Sequence, residues 1–340
     1  MRLTTAIQWN SVLGFSSRIA MASLFLATAS TSLAQDGWVN SRTPDGQPDL
    51  QGIWTNETRT PMERPEAMGN KAFFTADEIQ AMTAGEKELD PVTGNITVPV
   101  AGANVGAYGA EWLDMGGTVM STGQTSLIVD PPNGRAPLQD AAWESRQYDL
   151  DHLEDDYIHH TVWDRCITRG VPGAMLPAAY NNAYTIVQTP DHIAILHEMI
   201  HEVRIIPLNK SGHIDGKVKL WMGDSVAHWE GETLVVETKN FNANTMIANS
   251  GGGGRLRGLT SGEGQHLVER FTRISEDTII WEVRITSPKS FTQPITISMP
   301  LTQDPDYTLY EYACHEGNHA LGNILSAGRE REAREAAGLE

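Results

Sequence analysis

The chain has 340 residues, with 25 Lys and Arg against 43 Asp and Glu, for a formal net charge of −18 at pH 7. That surplus of acid excludes nucleic acid and anionic membrane surfaces as partners, since both would be repelled at contact distance. The length allows one large β domain or two modest ones, and the only cysteines are Cys166 and Cys314.

Residues 1–34 read as a secretory signal peptide. Arg2 and Arg18 supply its positive charge, Ile19 to Ala29 a short apolar run, and Ser32-Leu33-Ala34 a small-x-small cleavage site before Gln35. The run is too short for a comfortable membrane span, and no cysteine follows the cut to carry a lipid. The expected mature protein is exported, periplasmic or secreted, and has no membrane anchor. Its leader holds two Arg and no acid, so cleavage moves the net charge to −18 − 2 = −20. In an oxidising compartment Cys166 and Cys314 are expected to form a disulfide that closes a very long loop.

Residues 35–160 are expected to form an arm and helices packed on a core. Residues 35–72 are rich in Pro, Gly, Asn and Asp and read as irregular chain. Thr75 and Glu78 make a capping box for a helix running to about Glu86. Thr125 to Val129 reads as a short strand closed by Pro131-Pro132-Asn133-Gly134. Residues 138–160 read as helix or loop and end in an acidic, His-rich run that includes Asp155, Asp156, His159 and His160.

The texture changes over residues 161–326. Segments of strand composition recur at 184–188, 193–206, 217–222, 233–240, 266–274, 278–286, 291–299 and 307–313, with turn signals such as Asn209 to Gly212, Trp229 to Glu232 and Ser275 to Asp277 between them. The prediction is a mainly β fold, an antiparallel meander closing into a calycin-like barrel or sandwich. Ser250 to Gly254 reads as a flexible linker or lid. Residues 327–340 read as a charged, solvated C-terminal helix.

One string matches a catalytic motif, His197-Glu198-Met199-Ile200-His201. On a helix, H-E-x-x-H places two His one turn apart on a zinc ion, with the Glu as general base. On a strand the same two His lie about 13 Å apart and cannot share a metal. A helix is supported by the apolar stripe of Ile195, Leu196, Met199, Ile200, Val203 and Ile206. A strand is supported by the β-branched content of 193–206 and by a hairpin turn at Thr189-Pro190-Asp191-His192. Arg204 and Pro207 occupy the positions that a metzincin needs, which removes that subtype.

Other groups carry chemistry of their own. Tyr180-Asn181-Asn182 has the donors for a carbonyl or sugar hydroxyl, or for a turn. Cys314-His315-Glu316-Gly317-Asn318 is an exposed polar turn that a disulfide would hold beside Arg165-Cys166. Adjacent His159 and His160 would point apart on regular structure, so no shared metal is expected there. The nucleophile elbow, the Walker loop, the dinucleotide glycine pattern and C-x-x-C are all missing.

Five strings resemble a large, uncharacterised family of exported bacterial proteins. They are Pro48-Asp49-Leu50-Gln51-Gly52-Ile53-Trp54, Tyr180-Asn181-Asn182, Glu198-Met199-Ile200-His201, Trp229-Glu230-Gly231-Glu232-Thr233-Leu234-Val235-Val236-Glu237-Thr238 and Tyr310-Glu311-Tyr312-Ala313-Cys314-His315-Glu316-Gly317-Asn318. The resemblance covers nearly the whole mature chain. It implies export and a β-rich fold, and it carries no activity. The first His of H-E-x-x-H is not a fixed feature of that family, which weighs against a protease.

The leading expectation is an enzyme, a lyase or hydrolase, performing acid–base chemistry on a small organic or glycan substrate. His201 is the expected base and Tyr180 or His315 the acid. Arg204 or Asn181 anchors a substrate anion, and Asn182, Trp229 and Glu316 complete the binding surface. This reading needs no cofactor. A second expectation is a metal-dependent hydrolase, with zinc or another divalent ion on His197 and His201, Glu198 as base, and Asp224 or His213 as third ligand. A third is a non-enzymatic ligand-binding barrel.

Overall fold

The computed structural model describes residues 38–84, 88–89, 96–97, 116, 119–209 and 212–339. The expected signal peptide lies outside them.

The fold is mainly β, as its alternating segments require. Its strands are β1 (Gly52–Thr55), a separate two-residue pair β2 (Glu88–Leu89) and β3 (Ile96–Thr97), β4 (Ile128–Asp130), β5 (Ala183–Gln188), β6 (His192–His197), β7 (Val203–Pro207), β8 (Asp224–Glu230), β9 (Thr233–Lys239), β10 (His266–Arg273), β11 (Thr278–Thr286) and β12 (Ile295–Gln303). The ten-stranded antiparallel sheet runs β7-β6-β5-β1-β12-β11-β10-β9-β8, with β4 on β12. Leu208, just past β7, bridges Ala227 of β8, so the sheet curls into a nearly closed barrel. The helices are α1 (Ala76–Thr83), α2 (Asp140–Asp151) and α3 (Ala320–Ala336).

Period-two alternation sets what faces inward. Leu267, Glu269 and Phe271 of β10, Ile279, Trp281, Val283 and Ile285 of β11, and Ile295, Ile297, Met299 and Leu301 of β12 are all buried. The barrel is therefore filled by its own side chains. A charged pair sits among them. Arg204 of β7 and Glu269 of β10 pair at 2.5 Å with side chains 3% and 0% exposed. Ser225, Thr238 and the Trp281 indole supply the remaining hydrogen bonds. A buried pair of this kind tolerates its desolvation only because every donor and acceptor is matched. Arg204, expected as a substrate anchor, is instead locked inside the barrel.

The N-terminal arm is not wholly irregular. Its Gly52–Thr55 segment enters the sheet as β1 between β5 and β12. Gly52 has φ +139°, a conformation that residues with a Cβ rarely adopt, so a substitution there would be strained. Trp54 is fully buried and its indole donates to the Leu50 carbonyl at 3.0 Å.

Other expectations shift locally. The 193–206 segment is two strands rather than one, 217–222 and 307–313 are not strands, and β12 begins at Ile295, just after Pro294. β8 was not anticipated, because Asp224-Ser225-Val226-Ala227-His228 has few β-formers and is held by pairing with β9. The capping box at Thr75 and Glu78 forms, and its helix ends at Thr83. Ser250 to Gly254 is no flexible linker. Ser250 is buried and donates to the Pro177 carbonyl at 2.9 Å, and the glycines form a packed 3₁₀ turn at Gly251–Leu256. α3 starts well before residue 327 and packs through Gly328, where a Cβ would meet the Glu154 carbonyl at 2.7 Å.

The barrel ion pair yields a direct test. Arg204→Met or Glu269→Gln alone is expected to cost about 3–5 kcal/mol, seen as a lower urea midpoint, because the remaining partner is left buried and unpaired. The double variant Arg204→Met/Glu269→Leu should recover much of that loss. Single variants with unchanged midpoints would contradict this account of the barrel interior.

Candidate functional site

Cys166 and Cys314 are disulfide-bonded, with Cα atoms 5.5 Å apart across 148 residues of sequence. The bond fastens the chain between β12 and α3 to the turn Thr161–Cys166. Asn318 adds a hydrogen bond to the Asp164 carbonyl at 3.3 Å. Farther along, the Tyr307 hydroxyl donates to Glu198 at 3.0 Å, and the His201 ring bonds the Tyr312 carbonyl at 2.9 Å. Residues 307–318 thus form a strap held at both the His197–His201 turn and the disulfide.

That turn decides the metal reading. β6 ends at His197, a 3₁₀ turn covers Met199–His201, and β7 begins at Val203. Ile200 and His201 have φ of 65° and 42°, left-handed conformations that no helix contains. The His197 amide donates to the Glu202 carbonyl at 2.9 Å, closing a β-hairpin. His197 is 2% exposed inside the barrel, whereas His201 is exposed and reaches the strap. The helical premise of the zinc site is therefore corrected, and the two rings do not converge. Glu198 is buried and accepts from Asn181 and Tyr307, so it joins the start of β5 to the strap. His213 is engaged by Asp224 at 2.8 Å and by Glu237 at 3.2 Å. Among the described residues no group of three or more His, Cys, Asp or Glu is arranged to hold a metal.

The strap, α2, the 153–164 loop and the first turns of α3 enclose a cavity of about 610 Å³. No lining residue belongs to a strand of the sheet. One wall is aromatic. Trp163 and Tyr180 have ring centroids 6.2 Å apart, and Tyr180 and Tyr312 6.1 Å. Arg169 lies behind this wall with its guanidinium 5.2 Å from the Trp163 ring centroid. Burial lowers the Arg169 pKa to about 10, opposed by Tyr180, Tyr312 and Glu202. The polar wall holds Asp149, His159 and His160. Asp149 accepts from His159 Nδ1 at 2.8 Å, and His160 Nε2 donates to the Leu153 carbonyl at 2.7 Å. Arg146 and Arg257 also line the cavity.

Of the residues expected from sequence, Tyr180, Glu316 and the disulfide half Cys314 line this cavity. His315 is exposed and outside its lining. Asn182 closes a turn through both main-chain groups of Ala178, at 2.7 and 3.0 Å. Asn181 serves Glu198, and Trp229 packs on the core from β8. Sequence reasoning missed Arg146, Asp149, Trp163 and Arg257. It considered His159 only beside Asp155 and Asp156, whereas the ring's carboxylate partner is one helix away. No periodic signal could have brought these residues together.

Comparison with models of known protein families finds no match, and comparison with curated proteins finds no significantly similar relative. The site stands on its geometry. No helix among the described residues is long and apolar enough to cross a membrane.

His197 yields a pH prediction. Burial first, then the charges of Arg204 and Arg169, lower its pKa from 6.5 to about 3. The unfolded chain binds a proton that the folded chain refuses, so stability is present above about pH 6.5 and is lost as pH falls toward 3. Between about pH 6.5 and pH 5 this amounts to about 1.5 kcal/mol. His197→Gln should remove that part of the pH dependence of the urea midpoint. An unchanged slope would show that His197 does not titrate this way.

Proposed function

We propose that the chain is an exported enzyme that performs acid–base chemistry on a small organic or glycan substrate in the strap cavity, as a lyase or hydrolase. The observation that carries this reading is the Asp149–His159 pair on a cavity that two phenols, Tyr180 and Tyr312, also line. Asp149 engages Nδ1 and fixes the ring's tautomer, which leaves Nε2 to take a proton from substrate or water. Tyr180 or Tyr312 then returns a proton to the leaving group, with Arg169 stabilising negative charge on the phenol oxygen. The flat face of Trp163 suits a sugar or aromatic ring.

In this scheme His159 replaces His201 as the base. A ligand within the barrel would have to displace Trp54, Phe271 and Trp281, all essentially unexposed, so the cavity is the better place for a small molecule. Export is supported by the disulfide.

Screening the mature protein against small esters, ethers, glycosides and uronates should yield a turned-over substrate. His159→Ala should then lower kcat by about 10²- to 10⁴-fold with an unchanged circular dichroism spectrum. Asp149→Asn should lower it less and shift the acid limb of the pH profile. Full activity in folded His159→Ala would end this assignment.

A further inference from the structure

The arginines around α2 differ in how they are neutralised. Arg255 forms a two-pronged pair with Glu63, at 2.8 and 2.6 Å. Arg146 has no such carboxylate among the described residues. Its Nε donates to the Arg257 carbonyl at 2.6 Å, and its guanidinium lies 4.9 Å from the Trp143 ring centroid. Arg257 reaches Asp164 only at 4.0 Å, and its own Nε is buried without a partner. Burial and the charges of Arg257 and Arg255 all lower the pKa of Arg146. The field at Arg146 is therefore positive, in a protein whose net charge is −18. Two like charges brought together at the rim of a cavity are costly unless something negative joins them.

Among the described residues no acid on the same cavity hydrogen-bonds either guanidinium; Asp164 meets Arg257 only as an ion pair at 4.0 Å. Asp149 is engaged by His159, Asp164 accepts from the amide and hydroxyl of Thr161 at 3.1 and 2.7 Å, and Glu316 is exposed. We infer that Arg146 and Arg257 form an anion subsite that takes a carboxylate carried on the ring of the substrate. This deepens the proposed function and rests on it. A planar guanidinium matches a carboxylate's two oxygens, and the aromatic wall supplies the surface for the ring that bears it.

The subsite also favours elimination over hydrolysis. Offsetting the carboxylate's charge acidifies the proton on the adjacent carbon. His159 Nε2 takes that proton, and its electron pair forms a carbon–carbon double bond. The bond from the next carbon to the leaving oxygen breaks, and that oxygen takes a proton from Tyr180 or Tyr312. Proton return from the imidazolium to the phenol through solvent restores the site, so no oxidant or reductant is needed.

The probes are galacturonate, galactose, benzoate, benzyl alcohol and inorganic phosphate, titrated into the mature protein and followed by NMR of arginine Nε–H and histidine ring signals. Galacturonate or benzoate should shift the Arg146 and His159 signals and bind at least tenfold more tightly than its neutral counterpart. Arg146→Gln should abolish that preference, whereas Arg146→Lys, which keeps the charge, should retain part of it. Three results would each overturn the inference: neutral probes binding as well as acids, phosphate matching the carboxylates, or a preference that survives in Arg146→Gln. If neutral probes still shift His159, the cavity remains the site and only the anion subsite fails. If no probe shifts any cavity signal, both readings fail together.

Discussion

The disulfide between Cys166 and Cys314 is the constraint on which the candidate site depends. Without it, the 307–318 strap would rest on a few side-chain hydrogen bonds, from Tyr307, His201 and Asn318, partly exposed and individually worth about 1 kcal/mol. The covalent link keeps the strap attached at Cys314 even when those hydrogen bonds open. The nearly closed barrel, held by its own ladders and filled by its own side chains, needs no such help. The chain thus has a self-sufficient scaffold and a covalently tethered layer that lines the candidate site.

The barrel's interior and the cavity handle charge in opposite ways. Inside the barrel, Arg204 and Glu269 meet each other and a full set of hydroxyl and indole partners, which leaves neither charge free for a ligand. At the cavity, among the described residues, His159 is oriented by Asp149 and has no second hydrogen-bond partner on its ring, and Arg146 is held by a carbonyl and an indole face with no carboxylate paired to it. Complete satisfaction marks structure, and partial satisfaction on an accessible wall marks chemistry.

The scaffold was legible in the sequence where local signals agree. β10 and β11 alternate buried residues with mostly half-buried ones over eight and nine positions, and β12 does so from Ile297 to Leu301, and such runs read as half-buried strands. The Thr75 capping box and the pairing of the two cysteines were equally plain. β1 and β8 were not, since both are held by neighbouring strands more than by their own composition. His197 to His201 misled in an instructive way. Its spacing fits a helical zinc site, but the β-branched residues on both sides pair as a hairpin, and Ile200 adopts a left-handed conformation to turn it. The cavity was the least legible part. Arg146, His159, Trp163, Tyr180, Arg257 and Tyr312 come from separate segments of no common period, and only the tertiary fold gathers them.

The central claim is that the strap cavity, and not the barrel interior or the His197–His201 turn, is where this protein meets small molecules. Its most direct test is a crystallographic soak of the mature protein with a fragment library of neutral sugars, acids and aromatic alcohols. The account predicts that bound fragments gather between the Trp163–Tyr180–Tyr312 wall and Arg146, within hydrogen-bonding reach of His159. Fragments collecting in the barrel or at the His197–His201 turn, with this cavity empty throughout, would contradict it.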